Sequence, residues 1–186
     1  MAKITVVREH IAWSYANLAA AHSAVNLGAS SYGRVNYMVR AKLFKGLVSG
    51  SMSMRTLLDD EKVKYRYPKC CCYCGATSRL HMDHLIARSR GGPDSADNVV
   101  WSCISCNSSK GNRDVLAWLA SKNRMPSILL LRRYLKLVAM YCEHNGLLDL
   151  ELEKAKDMEL PFELMGIPYK LPNPGELKLW VAPVES

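Results

Sequence analysis

The sequence predicts an α+β fold, with mostly helical flanks around a small, turn-rich centre that carries cysteines. Three observations lead there. Apolar residues recur at helical spacing over 5–27, 32–48 and 126–145. Two CxxC pairs, Cys71/Cys74 and Cys103/Cys106, bracket a middle region of short runs broken by Gly and Pro. Hydrophobic residues make up 49% of the 186, enough to fold without help from disulfides.

The first helix is expected over 5–27, where Val7, Ile11, Leu18, Val25 and intervening alanines share a face and Gly28 stops the run. Ser30 or Ser31 can cap a second, roughly 32–48. Its apolar members are Val35, Met38, Val39, Leu43 and Leu47, and Arg34, Arg40, Lys42 and Lys45 lie on its other face. Ser53 can open a short helix near 53–60. "KVKYRY" (62–67) alternates as a strand does, with Lys62, Lys64 and Arg66 opposite Val63, Tyr65 and Tyr67. "RDVLAWLASKN" predicts a helix near 113–122. Another, about 126–145, has the stripe Ile128, Leu131, Leu135, Val138 and Cys142, with Arg132, Arg133 and Lys136 mostly off it. From Leu160 onward five of the eight prolines appear, so the tail is expected to run extended against the rest of the protein or a partner.

Charge points to an anionic partner. The net charge is +8, and it is uneven: +5 over residues 1–59, +3 over 60–114 and zero over 115–186. A nucleic-acid surface therefore belongs in the first two-thirds. The opening "MAKITVVREHIAW" lacks the apolar core of a secretory signal, and the run "ILLL" (128–131) is far too short to span a bilayer. The expected location is the cytoplasm, where thiols stay reduced, with no membrane partner.

Seven cysteines, four of them in two CxxC pairs, point to metal rather than disulfides. A CxxC turn brings two sulfurs onto one ion, so Cys71, Cys74, Cys103 and Cys106 complete a tetrahedral zinc site. Spacing favours Cys71 over Cys70, although a register through Cys70 stays open. With 28 residues between Cys74 and Cys103, something is inserted between the knuckles. All four zinc positions are then filled, so this ion builds structure and cannot activate water.

That insert carries a resemblance. "CCYCG", "HMDHLIARSRGGPDSADNVVWSC" and "CISCNSSKGNR" resemble the HNH endonuclease family over about 69–113. The family's core is a ββα-metal finger, here of the HNN-type variant with two CxxC zinc knuckles. Leu80–His84 and Asn98–Ser102 suit its two strands, 85–97 its loop, and a short helix holds Asn107 and Lys110 up to Gly111. With the charge and helical patterning of the flanks, three segments are expected: a basic helical region 1–60, a nuclease core 61–123, and a helical 124–186 with the Pro-rich tail.

It also implies roles. His84 is the general base, because imidazole as a side-chain type changes charge near neutral pH. Asp83 is a ligand of a second, catalytic ion. Adjacent strand residues point to opposite faces, so this pairing needs a local distortion. Asn107 stands where the family name has its last His, and an amide oxygen suits Mg²⁺ or Mn²⁺. Asn98 is the middle Asn, whose carboxamide or backbone orients the His84 ring. From spacing, His81 shares a strand face with Asp83, and Lys110, one turn from Asn107, can face a phosphate. Arg88, Arg90 and Arg113 are candidate backbone contacts. The implied activity is metal-dependent hydrolysis of phosphodiester bonds, with double-stranded DNA as the first substrate. Two other readings stand beside it: an effector subunit of a defence complex cutting DNA or RNA, with a protein partner or a homodimer, and a non-catalytic zinc-finger module that only binds nucleic acid.

Overall fold

The computed structural model describes residues 4–54 and 67–184. The expected helix near 53–60 and the alternating 62–67 fall largely outside them. The elements run α1 (Val7–Asn26), α2 (Arg34–Val48), β1 (Leu80–His84), β2 (Val99–Cys103), α3 (Ile104–Lys110), α4 (Val115–Ala120), α5 (Ile128–His144) and α6 (Leu152–Ala155), with four single 3₁₀ turns between and after them. The fold is α+β. No helix among the described residues is long and apolar enough to cross a membrane.

Helix α1 starts where Glu9 reaches back, its Oε2 accepting from the Thr5 and Val6 backbone N–H groups at 2.7 and 3.3 Å. This satisfies donors that the first helical turn leaves orphaned. Ala16, Ala21 and Ala24 are closed to solvent, so small side chains let neighbouring elements approach closely. Helix α1 packs against both α2 and α5.

Helix α2 departs from expectation in two ways. Neither Ser30 nor Ser31 caps it: Gly33 holds the cap position, and Asn36 Oδ1 accepts from Gly33 N–H at 2.9 Å. Its inward face is also rotated. Asn36 donates to the Ala20 carbonyl and Arg40 to Asn17 Oδ1, while Phe44 meets the Trp13 ring edge-on at 5.3 Å. Polar side chains that bond into α1 thus set the contact, and Val35 and Met38 are left 66% and 60% exposed.

Helix α5 buries its whole predicted stripe; Ile128, Leu131, Leu135, Val138 and Cys142 are at most 1% exposed. Each such side chain contributes about 1.5–3 kcal/mol. Burial pushes the Cys142 thiol up to about 12. Arg133 and Lys136, expected mostly off that stripe, are buried as well. Arg133 donates to the Val99 carbonyl at 3.0 Å, which fastens α5 to the start of β2.

The tail does lie extended. Leu160, Phe162, Leu164, Ile167 and Leu177 are buried, and the Lys178 and Leu179 carbonyls accept from the first N–H groups of α5. One buried cluster runs from Val7 through the central cysteines to Leu177, so all three sequence segments contribute to it.

Candidate functional site

Strands β1 and β2 pair antiparallel in the register Leu80↔Cys103, His81↔Ser102, Met82↔Trp101, Asp83↔Val100 and His84↔Val99. Residues 85–98 return the chain between them. Asn98 makes that return rigid. Fully buried, it donates to the Ile86 and Pro93 carbonyls at 2.8 and 2.9 Å and accepts from Ile86 N–H at 2.9 Å. Gly92 lies so close to the Ile86 carbonyl that a Cβ there would be 2.0 Å from the oxygen, so only glycine fits.

Helix α3 follows β2 directly, and its first turn carries the second cysteine pair. The sulfurs of Cys71, Cys74, Cys103 and Cys106 all lie within 4.8 Å of one another. Cys74 and Cys103 are 3.7 Å apart, close to the edge of about 3.8 Å that Zn–S bonds of 2.3 Å give a tetrahedron. Cys106 N–H donates to Cys103 Sγ, and Gly75 N–H to the Cys71 carbonyl. Burial pushes the Cys71 thiol up, but backbone N–H groups outweigh it and bring it down to about 7. Cys74 and Cys106 are pushed up by burial and by the Cys71 charge. Four crowded sulfurs become thiolates together only around a cation, so the donor set fits zinc. Cys70 is outside the cluster and donates to the Val181 carbonyl, which decides the register in favour of Cys71.

Beside the knuckles sits a buried polar cluster. Asp83 is 5% exposed. Its Oδ1 takes the Lys110 ammonium at 2.9 Å and its Oδ2 accepts from the Tyr73 hydroxyl at 2.6 Å. Burial, followed by the Cys72 and Asp83 charges, pushes Tyr73 well above its ordinary range, so it remains a neutral donor. Lys110 also donates to the His84 carbonyl at 2.8 Å. The lysine expected to face a phosphate is instead only 1% exposed and ties α3 to the end of β1. Removing one member of such a pair leaves the other charge uncompensated, at a cost of about 3–5 kcal/mol. Lys110→Met is therefore expected to lower the urea midpoint strongly; an unchanged midpoint would contradict the pairing.

His84 turns the other way, as the pleat requires. Its Nε2 pairs with Asp94 Oδ1 at 3.0 Å, and Arg88 Nη1 lies 3.3 Å from Asp94 Oδ2. The Asn98 carboxamide bonds Ile86 and Pro93, in the loop that carries Asp94, and the Asn98 backbone carbonyl accepts from Leu85 N–H at 2.9 Å, one residue from His84. The remaining predicted contacts are scattered. His81 is exposed on the strand face of Asp83, and Asn107 is half-buried on α3. Arg90 donates to the Leu160 carbonyl, and Arg113 folds back on the Lys110 and Ser109 carbonyls.

Sequence reasoning missed Tyr73 and Asp94. Tyr73 lies inside the first knuckle, where only the cysteines drew attention. Asp94 follows Gly91-Gly92-Pro93, and an acid at such a turn ten positions after a histidine was the available signal.

Two strands, a fixed loop and a helix joined by four clustered cysteines form a ββα finger with a donor set for a metal ion. Residues 71–113 match the family model described as HNH endonuclease, so the chain contains an HNH domain there. It is also similar to the CRISPR-associated endonuclease Cas9 of Corynebacterium diphtheriae, at 34% identity over 87 residues. That similarity covers 42% of this chain and 8% of that protein, so the chain spans a small fraction of its relative. No solved structure matches the chain.

Proposed function

We propose that this protein is an HNH endonuclease that hydrolyses phosphodiester bonds of double-stranded DNA with the help of a divalent ion. The observation that supports this best is the arrangement at the end of β1. There a half-buried histidine is oriented by one carboxylate, while on the opposite face of the strand a second carboxylate reaches under the helix that carries Asn107, so joint action on one phosphate requires the end of β1 to twist. The 61–123 segment is the catalytic core on this reading, and 1–60 and 124–186 are its binding and supporting regions.

His84 takes the proton from the attacking water. With Nε2–H donating to Asp94, the ring presents Nδ1 as the free acceptor. Arg88 holds Asp94, and Asn98 holds the loop on which both sit. Asp83 and Asn107 would hold Mg²⁺ or Mn²⁺. The Asp83 carboxylate fits, because Tyr73 and Lys110 use two of its roughly four lone-pair sites and fix its plane. When bound, the ion supplies charge stabilisation at the phosphate and the leaving oxygen. Zinc at the four cysteines builds the scaffold only.

Asp94→Asn tests the orientation of the ring. An amide no longer selects the Nε2–H tautomer, so cleavage is expected to fall about tenfold or more, with the pH–rate profile displaced and the unfolding midpoint unchanged. A parental profile would remove Asp94 from the mechanism.

The substrate is tested by a cleavage panel of duplex DNA, single-stranded DNA and tRNA with added Mg²⁺ and the His84→Ala control. Cutting of duplex supports the reading; cutting of tRNA alone would move the substrate to RNA. The similarity to a stretch of a CRISPR-associated endonuclease favours a second reading, an effector subunit of a defence complex. Activity restored only by a partner protein would select it.

A further inference from the structure

The geometry points to a second nucleic-acid contact, a stacking groove for unpaired bases between α1, α2 and the tail. This rests on the endonuclease reading and adds a substrate feature to it, a single-stranded segment.

The groove has a volume of about 310 Å³. Trp13, Tyr32, Tyr37 and Tyr169 line it, together with Arg40 and Lys170, and no acidic residue does. The Arg40 guanidinium stands 5.0 Å from the centres of both the Trp13 and Tyr37 rings, and Asn17 Oδ1 accepts from its Nη1 at 3.3 Å. Among the described residues no carboxylate pairs with it. Two aromatic faces and one amide thus hold a planar cation in a fixed orientation, with most of its five donors left for an anion.

The rings are held in place: Trp13 packs against Phe44 and Tyr169 at 5.3 and 5.5 Å, and Tyr32 against Tyr37 at 6.3 Å, which leaves Tyr37 as the exposed ring. Trp13 Nε1 donates to the Tyr169 carbonyl at 3.0 Å, and the Tyr32 hydroxyl to the Pro172 carbonyl at 2.8 Å, so the tail fixes both walls. Tyr37 projects outward and is 48% exposed. A core would have covered it, and the rotation of α2 described above is what leaves it out.

Charge complementarity selects the occupant. Helix α2 has four basic residues, Arg34, Arg40, Lys42 and Lys45, and no acid. Cations that track a phosphate backbone beside exposed aromatic faces are the recognition chemistry of single-stranded nucleic acid, because every base has a face to stack. A duplex offers its phosphates to α2 but keeps its bases paired and out of reach. A strand end, a gap or an opened region supplies what the groove fits.

The test uses the full chain with His84→Ala, without added Mg²⁺, and fluorescence anisotropy on two probes: a single strand of about 12 nucleotides and the matching blunt duplex. The expected result is that Tyr37→Ala weakens single-strand binding about tenfold, that Tyr37→Phe restores it, and that the duplex is bound equally by all three proteins. Arg40→Gln should weaken the single strand and reduce the salt dependence of its binding. Single-strand binding unchanged in Tyr37→Ala overturns the proposal, as does equal loss on both probes. Cutting by the unsubstituted chain is measured separately, so a failed groove leaves the endonuclease reading standing, and an inactive chain with Tyr37-dependent binding leaves the groove.

Discussion

Cys103→Ser is expected to unfold the central finger, while Asn107→Ala leaves it folded and slow. The contrast follows from what each residue holds. Cys103 ends β2, precedes α3 and contributes one of four sulfurs that join the helix to the turn before β1. Structural zinc contributes about 10–16 kcal/mol in small finger peptides, far more than the two short strands can supply alone. The consequence reaches past the finger, because Cys71, Cys103, Leu85 and Val100 belong to the same buried cluster as α1 and α5. Asn107 sits half-buried on a helix whose attachment comes from other residues. Circular dichroism and thermal unfolding of the two variants decide the matter. Equal loss of structure in both would contradict the division between a scaffold ion and a catalytic ion. A chelator should likewise act in two stages, first ending cleavage and then, once zinc is stripped, melting the finger.

His84→Ala is expected to reduce cleavage by about 10²- to 10⁴-fold without altering stability. The ring is part-exposed and pairs with an exposed carboxylate, so its removal opens no core cavity. A general base at this position acts only as strongly as its geometry allows. The effect should therefore exceed that of Asp94→Asn, which leaves the imidazole present but free to turn. Single-turnover cleavage with Mg²⁺ present separates the two. Parental rates in His84→Ala would end the assignment of this histidine.

Most of the finger was legible in the sequence because its constraints are local. The CxxC spacing, the limits of β1 and the short helix from Ile104 to Lys110 each follow from a few neighbouring residues. What was not legible depends on distant partners. Lys110 reads as a surface charge in its own helix, and only the 27-residue return to Asp83 makes it internal. The face of α2 was misjudged for the same reason: apolar spacing pointed to Val35 and Met38, but hydrogen bonds from Asn36 and Arg40 to α1 set the rotation. The Asn98 carboxamide bonds the backbone of its own loop, and only its main-chain carbonyl reaches the residue beside His84. Backbone partners cannot be read from the identity of a side chain.

The strap across the first knuckle has a consequence for synthesis. Val184 N–H bonds the Gly75 carbonyl, Cys70 bonds the carbonyl of Val181, 111 positions further on, and a Cβ on Gly75 would come within 2.3 Å of the Ala182 carbonyl. While the chain leaves the ribosome, all four cysteines of the cluster emerge well before residues 181–184. The metal can be captured before residues 181–184 have been made, but the first knuckle is clamped only once they are in place, so the finger gains its metal before it gains its strap.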